Sequence, residues 1–173
     1  MAALARTLML LTLMLALNAC GWQLRGAGDD SAVGYKVFVK DVGASTVGRS
    51  VRAALINRGA TVVNTRALSD VVIEVIGQNY TRRILSVDPV TGKVREIELR
   101  LTTDFQVRGV KGELMIPRET VNWELDYVFD EGSVLGTTEQ DAIVQNDLAA
   151  IAATAIVLRM QSVKIASADT QAE

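Results

Sequence analysis

The chain has 173 residues, of which 49% are hydrophobic and 22% charged, so it can bury a core and is not a disordered polymer. Its formal net charge of −2 provides no broad basic field that would draw it to nucleic acid. The absence of histidine removes the commonest general base and metal ligand, and the single cysteine allows neither an internal disulfide nor a C-x-x-C zinc motif.

The first residues have the layout of a secretory signal peptide. Arg6 is followed by an uncharged apolar run, Thr7–Leu17, and then by small residues around Cys20. A membrane-spanning helix needs roughly 20 residues, and this run is too short to provide one. Two outcomes stay open: an ordinary signal peptide that leaves a free thiol, or cleavage directly before Cys20.

The sequence LNAC at 17–20 resembles the bacterial lipobox, in which the cysteine is acylated and becomes the first mature residue. Several acyl chains together supply the hydrophobic signals that stable anchoring requires. Gly21 follows the cysteine in place of Asp, and by resemblance to known sorting signals this implies the outer membrane. We therefore expect a signal peptide at 1–19 and a lipidated N-terminus with a tether at 20–34.

The next segment alternates between strands and one helix. Residues 35–41 read as a strand, and the apolar spacing over 45–59 predicts a helix that ends at Gly59. A short second strand follows at 60–65, so this part of the chain has a strand–helix–strand order.

Three longer strands follow. Apolar and polar residues alternate without a break over 97–107, which predicts one core face and one polar face. A strand over 69–87 precedes this segment and is joined to it by a turn at 88–92. Residues 110–119 contain Gly and Pro and read as a turn or irregular link, after which 120–130 alternates again.

The chain closes with a long helix over 138–165 and a flexible tail over 166–173. Its apolar stripe comprises Val144, Leu148, Ile151, Ala155 and Leu158. The order of elements predicts a single α+β domain over 35–165. We expect a two-layer sandwich, with a mainly antiparallel sheet of about four strands covered on one face by two helices. The other face then meets water or a polar partner.

Catalytic chemistry has little support in the sequence. Carboxylate pairs such as Glu124 and Asp126 lie two residues apart on strands, which is the ordinary layout of a solvated sheet surface. The glycine-containing segments match neither a P-loop nor a dinucleotide fingerprint, and no histidine is present to activate a serine. We expect a non-enzymatic protein without a metal or cofactor.

Four basic residues flank the predicted 88–92 turn: Arg82, Arg83, Lys93 and Arg95. If the hairpin pairs across the turn, they lie toward one end of the sheet. Arginine suits bidentate contact with phosphate, and lysine supplies a compact charge. Two interpretations stay open, a solvated hairpin with scattered charge and a site for an anionic headgroup or phosphorylated sugar.

Two segments resemble the LptE (RlpB) family of lipopolysaccharide-assembly lipoproteins. ACGWQLRG at 19–26 is similar to the family's mature start, commonly Cys-Gly-aromatic-x-Leu-Arg, and 137–160 is similar to its last helix. The resemblance implies an α/β sandwich that plugs the LptD β-barrel, helps it assemble and takes part in lipopolysaccharide insertion at the outer membrane. It also implies lipopolysaccharide binding near one end of the sheet, with Arg82, Arg83, Lys93 and Arg95 as candidates.

A function of another class stays open. A free lipoprotein facing the periplasm could bind a small ligand or a cell-wall glycan, and this predicts a concave pocket lined by aromatic side chains. The chain has only two tryptophans, and Trp22 lies in the tether, so little aromatic material is available for a sugar-stacking cleft.

Overall fold

A computed structural model describes residues 34–43, 45–129 and 134–170, without the side chains of 134–138 and 163–170. The expected signal peptide, the lipidated cysteine and nearly all of the tether lie outside the described residues, so the expectations for them stay predictions.

Five strands and two helices build the fold. They are β1 (Lys36–Asp41), α1 (Thr46–Asn57), β2 (Thr61–Val63), β3 (Val71–Val87), β4 (Val94–Gly109), β5 (Leu114–Val128) and α2 (Val134–Thr170), with a 3₁₀ turn at Arg66–Leu68. One sheet has the order β2-β1-β3-β4-β5; β1 runs parallel to β2 and β3, while β3, β4 and β5 are antiparallel. The predicted α+β class is confirmed. The expected count of about four strands was one too low, because even the three-residue β2 pairs with β1 at the edge.

The core lies between one face of the sheet and the two helices. The alternation predicted for β4 is confirmed, since Ile97, Leu99, Leu101, Phe105 and Val107 are all buried. Helix α1 contributes Val47, Val51 and Leu55 from one stripe, and Ser45 caps its start by accepting a hydrogen bond from the Gly48 N–H at 2.9 Å.

Helix α2 begins before and ends after the predicted 138–165, and its buried side overlaps the predicted stripe only in part: Val144 and Leu148 are buried as predicted, whereas Ile151 and Ala155 are half-buried. Leu148 is fully buried, but Leu158 is 48% exposed. The fully buried positions on this helix include Ala149, Ala152, Ala153, Ile156 and Val157. Small alanines let a helix approach its neighbours closely, so the helix turns this side inward. By length and hydropathy, Glu139–Ser162 could cross a membrane, but in this structure the helix packs against α1, β4 and β5.

The predicted irregular link at 110–119 is wrong for most of its length, because β5 begins at Leu114. Pro117 lies in a bulge, where it and Arg118 face the single β4 residue Gln106. Proline donates no N–H to a ladder and is tolerated at a bulge or on an edge strand, and β5 is both bulged and at the edge.

Candidate functional site

The β3–β4 hairpin carries the four basic residues that the sequence singles out. Arg82 pairs with Leu99 across the hairpin, and Arg83 pairs with Glu98. Because neighbouring residues in a strand point to opposite faces, Arg82 faces the helices and Arg83 faces the open side of the sheet. The strand therefore separates two arginines that the sequence places together.

Arg82 helps to hold the start of α2 on the sheet. Its Nη1 atom lies 3.6 Å from Oδ2 of Asp141, and its guanidinium carbon lies 4.9 Å from the centroid of the Phe129 ring. Tyr127 donates a hydrogen bond to the same Asp141. Burial and this hydrogen bond raise the pKa of Tyr127 to about 12, so the phenol keeps its proton and continues to donate. Arg82 is thus already engaged in tertiary structure.

Arg83 belongs to a row of ion pairs that crosses the open face. Its Nη2 atom lies 2.6 Å from Oε2 of Glu98, whose other oxygen lies 3.5 Å from Arg100. Arg100 in turn binds Glu124 on β5 at 2.7 Å. The hydrogen bond to Glu98 raises the pKa of Arg83. The row links three strands, and it confirms that the face opposite the helices is polar.

Lys93 and Arg95 lie at the tip of the hairpin, and both side chains are exposed. The predicted turn beside them is well ordered by Asp88, whose Oδ1 accepts hydrogen bonds from the N–H groups of Thr91 at 2.8 Å and Val90 at 3.0 Å. These bonds lower the pKa of Asp88, so its carboxylate is ionised and adds a negative charge close to Lys93 and Arg95. The turn presents both positive side chains to solvent from a fixed backbone.

Exposed apolar side chains surround the same tip. They are Ile84, Leu85, Val87, Val90 and, on the neighbouring β5, Val128. Val90 is 91% exposed at the centre of the turn. Two register shifts between Ile84 and Val87 break the alternation just before the turn. The segment ILSV has no alternating pattern, and this is the sequence feature that could have indicated the apolar tip.

A second group of charges lies on the open face around Glu74, which is only 8% exposed. Gln106 donates a hydrogen bond to it, Lys40 lies 3.4 Å away and Arg108 lies 3.8 Å away. Burial alone would raise the pKa of Glu74, but the hydrogen bond from Gln106 and the two positive charges outweigh it, and the pKa is lowered. Glu74 is therefore ionised and paired.

Acidification is expected to destabilise the fold below about pH 4.5, the ordinary pKa of a glutamate. The pKa of Glu74 is lower in the folded chain than in the unfolded chain, so the unfolded chain takes up this proton first as the pH falls. Its stabilising contribution is complete above that pH and is lost as the pH falls through the folded-state pKa. Urea midpoints measured across this range will show a smaller acid loss for Glu74→Gln, whereas Glu113→Gln, an exposed turn substitution, will follow the parent.

A shallow groove of about 650 Å³ also lies on the open face. Its lining comprises Arg100, Thr102, Asn122, Trp123 and Glu124. Thr102 donates a hydrogen bond to Asn122 at 2.8 Å, so these side chains satisfy each other. Trp123, which is 41% exposed, is the one aromatic residue in this lining. A lining with one aromatic residue gives little of the stacking surface that the glycan-binding alternative requires.

A family model described as LptE, lipopolysaccharide-assembly, matches residues 36–160. This range runs from β1 into α2 and includes the hairpin tip and the ion-pair row. The chain belongs to the LptE family. The LptE family is a non-catalytic family of lipopolysaccharide-assembly lipoproteins.

Solved structures share the LptE-family fold of this chain. Rare lipoprotein B from Shewanella oneidensis is 22% identical with a TM-score of 0.63, covering 75% of this chain and 96% of its own. Uncharacterized lipoprotein B from Nitrosomonas europaea is 20% identical with a TM-score of 0.66, covering 87% and 96%. A minor lipoprotein from Acinetobacter baumannii is 20% identical with a TM-score of 0.60, covering 76% and 94%. No curated protein matches the chain.

Proposed function

We propose that this LptE-family chain is a lipoprotein of the outer membrane, attached through Cys20 on the periplasmic side. The lipobox-like LNAC sequence supports attachment at this residue, and the fold is shared with three proteins that are called lipoproteins. Mass spectrometry of the chain purified from its native envelope will find an N-terminal peptide that begins with an acylated Cys20. An unmodified Cys20, or a mature start at another residue, would refute the anchor.

The chain then acts as a plug that assembles with an LptD-type β-barrel and takes part in lipopolysaccharide transport. The lumen of large outer-membrane barrels is polar, and the open face of this sheet is covered by ion pairs that are already satisfied. At roughly 3.3 Å per residue, the 17-residue β3 extends over about 55 Å, well beyond the apolar band of about 25 Å in such barrels. The sheet is therefore long enough to traverse a lumen.

Depletion of the chain tests this assembly role. We expect the amount of folded LptD-type barrel in the outer membrane to fall, because the barrel loses the plug around which it closes. Heat-modified mobility on gels separates the folded barrel from the unfolded one, and an unrelated outer-membrane barrel serves as the control. Unchanged folded LptD-type barrel after depletion would argue against an assembly role.

The hairpin tip is the surface at which the chain contacts lipopolysaccharide, and Arg82, Arg83, Lys93 and Arg95 contribute the positive charge. The observation that carries this proposal is that exposed apolar side chains and exposed cations occur together around one hairpin tip, because lipopolysaccharide joins acyl chains to phosphates. Lys93 and Arg95 are the foremost contacts. Arg82 and Arg83 lie behind them, and although each has an acidic partner, their side chains are 43% and 64% exposed.

Charge reversal at the tip is expected to weaken lipopolysaccharide binding. The double variant Lys93→Glu, Arg95→Glu should lower the amount of co-precipitated lipopolysaccharide by about fivefold. Each lost surface charge contact contributes a few tenths to about 1 kcal/mol of binding free energy, and two such losses give a change of this size. Lys111→Glu is the matched control, since Lys111 is exposed in the β4–β5 turn, away from the β3–β4 hairpin tip. Equal binding by the double variant and the control would contradict a contact at the tip.

A further inference from the structure

We propose that the outer edge of β5 pairs with β5 of a second copy of this chain, joining the two sheets into one antiparallel sheet. The two edges of the sheet differ greatly in length. β2 is a three-residue strand, whereas β5 has 15 residues. Only the β5 edge is long enough to support an extended ladder between chains. The inference concerns the chain outside any barrel and does not depend on the proposed plug function.

Beyond its bulge, the β5 edge from Glu119 to Val128 lacks the features that usually prevent pairing. Edge strands are commonly protected by lysines, prolines, bulges or short length. β5 contains no lysine, and its bulge at Pro117 and Arg118 lies near one end. From Glu119 to Val128 the register against β4 has no shift. Among the described residues, no backbone hydrogen bond from another element reaches the outer side of this stretch.

Three of the four charged side chains of β5 are held over the sheet and the helix, and the fourth, Asp126, is exposed. Arg118 binds Asp104 on β4 at 2.5 Å, and Glu124 binds Arg100 on β4 at 2.7 Å. Glu119 similarly binds Arg159 of α2 at 2.9 Å. These charges therefore lean toward their own chain, and the central segment Thr120–Trp123 is uncharged.

A second copy suits this edge because the strand is complementary to itself. In an antiparallel pair centred on Asn122, Val121 lies opposite Trp123 of the other copy, which is a favourable aromatic and β-branched pair. Arg118 lies opposite Asp126 of the other copy, so opposite charges meet, and no like charges face each other. A β-barrel whose wall is closed has no free strand edge that could pair with β5, whereas a second copy of this chain has the same free β5 edge.

Sedimentation velocity of the full-length chain in detergent, over a concentration series, tests the pairing. We expect a reversible monomer–dimer equilibrium. Asn122→Lys places two lysines opposite each other at the twofold axis and should weaken association by about fivefold. Asp126→Arg sets like charges against Arg118 and should weaken it similarly. Ala150→Lys adds a lysine on the exposed surface of α2 and should leave the dimer unchanged.

Circular dichroism will confirm that the variants are folded, since Asn122 and Asp126 are exposed in the single chain. A chain that stays monomeric throughout the concentration series would overturn the proposal. So would a dimer that associates equally well in Asn122→Lys and Ala150→Lys, because that dimer would use another surface. An Asp126→Arg variant that behaves like the Ala150 control would overturn the proposed register.

Discussion

Leu148→Ala is expected to lower the free energy of unfolding by about 2–5 kcal/mol, the usual loss for a buried leucine truncated to alanine. Leu148 is fully buried where α2 packs into the core. The substitution removes the contacts of the side chain and leaves a cavity between layers that cannot fully collapse. Alanine is a good helix former, so the loss reports packing and not a weakened helix. Denaturant unfolding followed by circular dichroism will measure it.

Leu158→Ala is the matched control for this substitution. Leu158 lies on the same helix and belongs to the same predicted apolar stripe, but it is 48% exposed. We expect it to cost less than about 1 kcal/mol. Equal losses at the two positions would show that α2 faces the sheet with the side predicted from the sequence, and not with the alanine-rich side.

Gly48→Ala is expected to destabilise the fold by about 1–3 kcal/mol, although alanine gains nearly 1 kcal/mol of helix propensity over glycine. A Cβ atom at Gly48 would overlap the carboxylate of Asp41, whose side chain is only 2% exposed. Asp41 ends β1 directly below the first turn of α1, with Arg52 at 3.8 Å. Because the Asp41 side chain is almost fully buried, it cannot rotate into solvent to relieve the overlap, and we expect the helix and the strand to move apart.

Gly109→Ala provides the comparison. A Cβ atom there would also overlap a carboxylate, that of Glu113, but Glu113 is exposed and can rotate into solvent. We expect a loss close to zero, measured by the same denaturant unfolding. A Gly48→Ala variant as stable as Gly109→Ala would contradict the close packing of α1 against the end of β1.

The alternation of β4 made its two faces predictable, because each apolar residue from Ile97 to Val107 could be assigned without knowledge of its partners. The orientation of α2 was not predictable in this way. Alanine and leucine count equally as apolar residues when a stripe is read from the sequence. Which side of α2 is buried depends on how closely α1 and α2 pack, and the sequence pattern does not give that distance. The Pro117 bulge was missed for a similar reason, since proline in β5 is acceptable only because β5 lies at the edge.

The candidate site was predictable in composition but not in arrangement. Arg82, Arg83, Lys93 and Arg95 do flank the hairpin turn, as their sequence positions indicate. Their partners come from distant parts of the chain: Asp141 on α2 engages Arg82, and the sheet pairing brings Glu98 to Arg83. The exposure of the apolar residues at the tip was not predictable, because hydrophobic residues in or next to a strand are ordinarily assigned to the core.

In the proposed function, the hairpin tip, which carries both cations and exposed apolar side chains, contacts lipopolysaccharide, and the polar face of the sheet lies against a barrel lumen. The fold meets both needs because one face of a single sheet carries the core while the other carries ion pairs across β3, β4 and β5. The helices stabilise the sheet from one side only. The opposite face and the projecting hairpin are thereby left for partners.

Affinity purification of the tagged, full-length chain from its native envelope tests the central claim most directly. We expect an LptD-type β-barrel to be recovered with the chain in equimolar amount. A second tagged outer-membrane lipoprotein of unrelated fold, expressed at the same level, should recover none of it. Recovery of the chain alone, or with the barrel only at the level of this control, would contradict the claim that the chain is the plug of such a barrel.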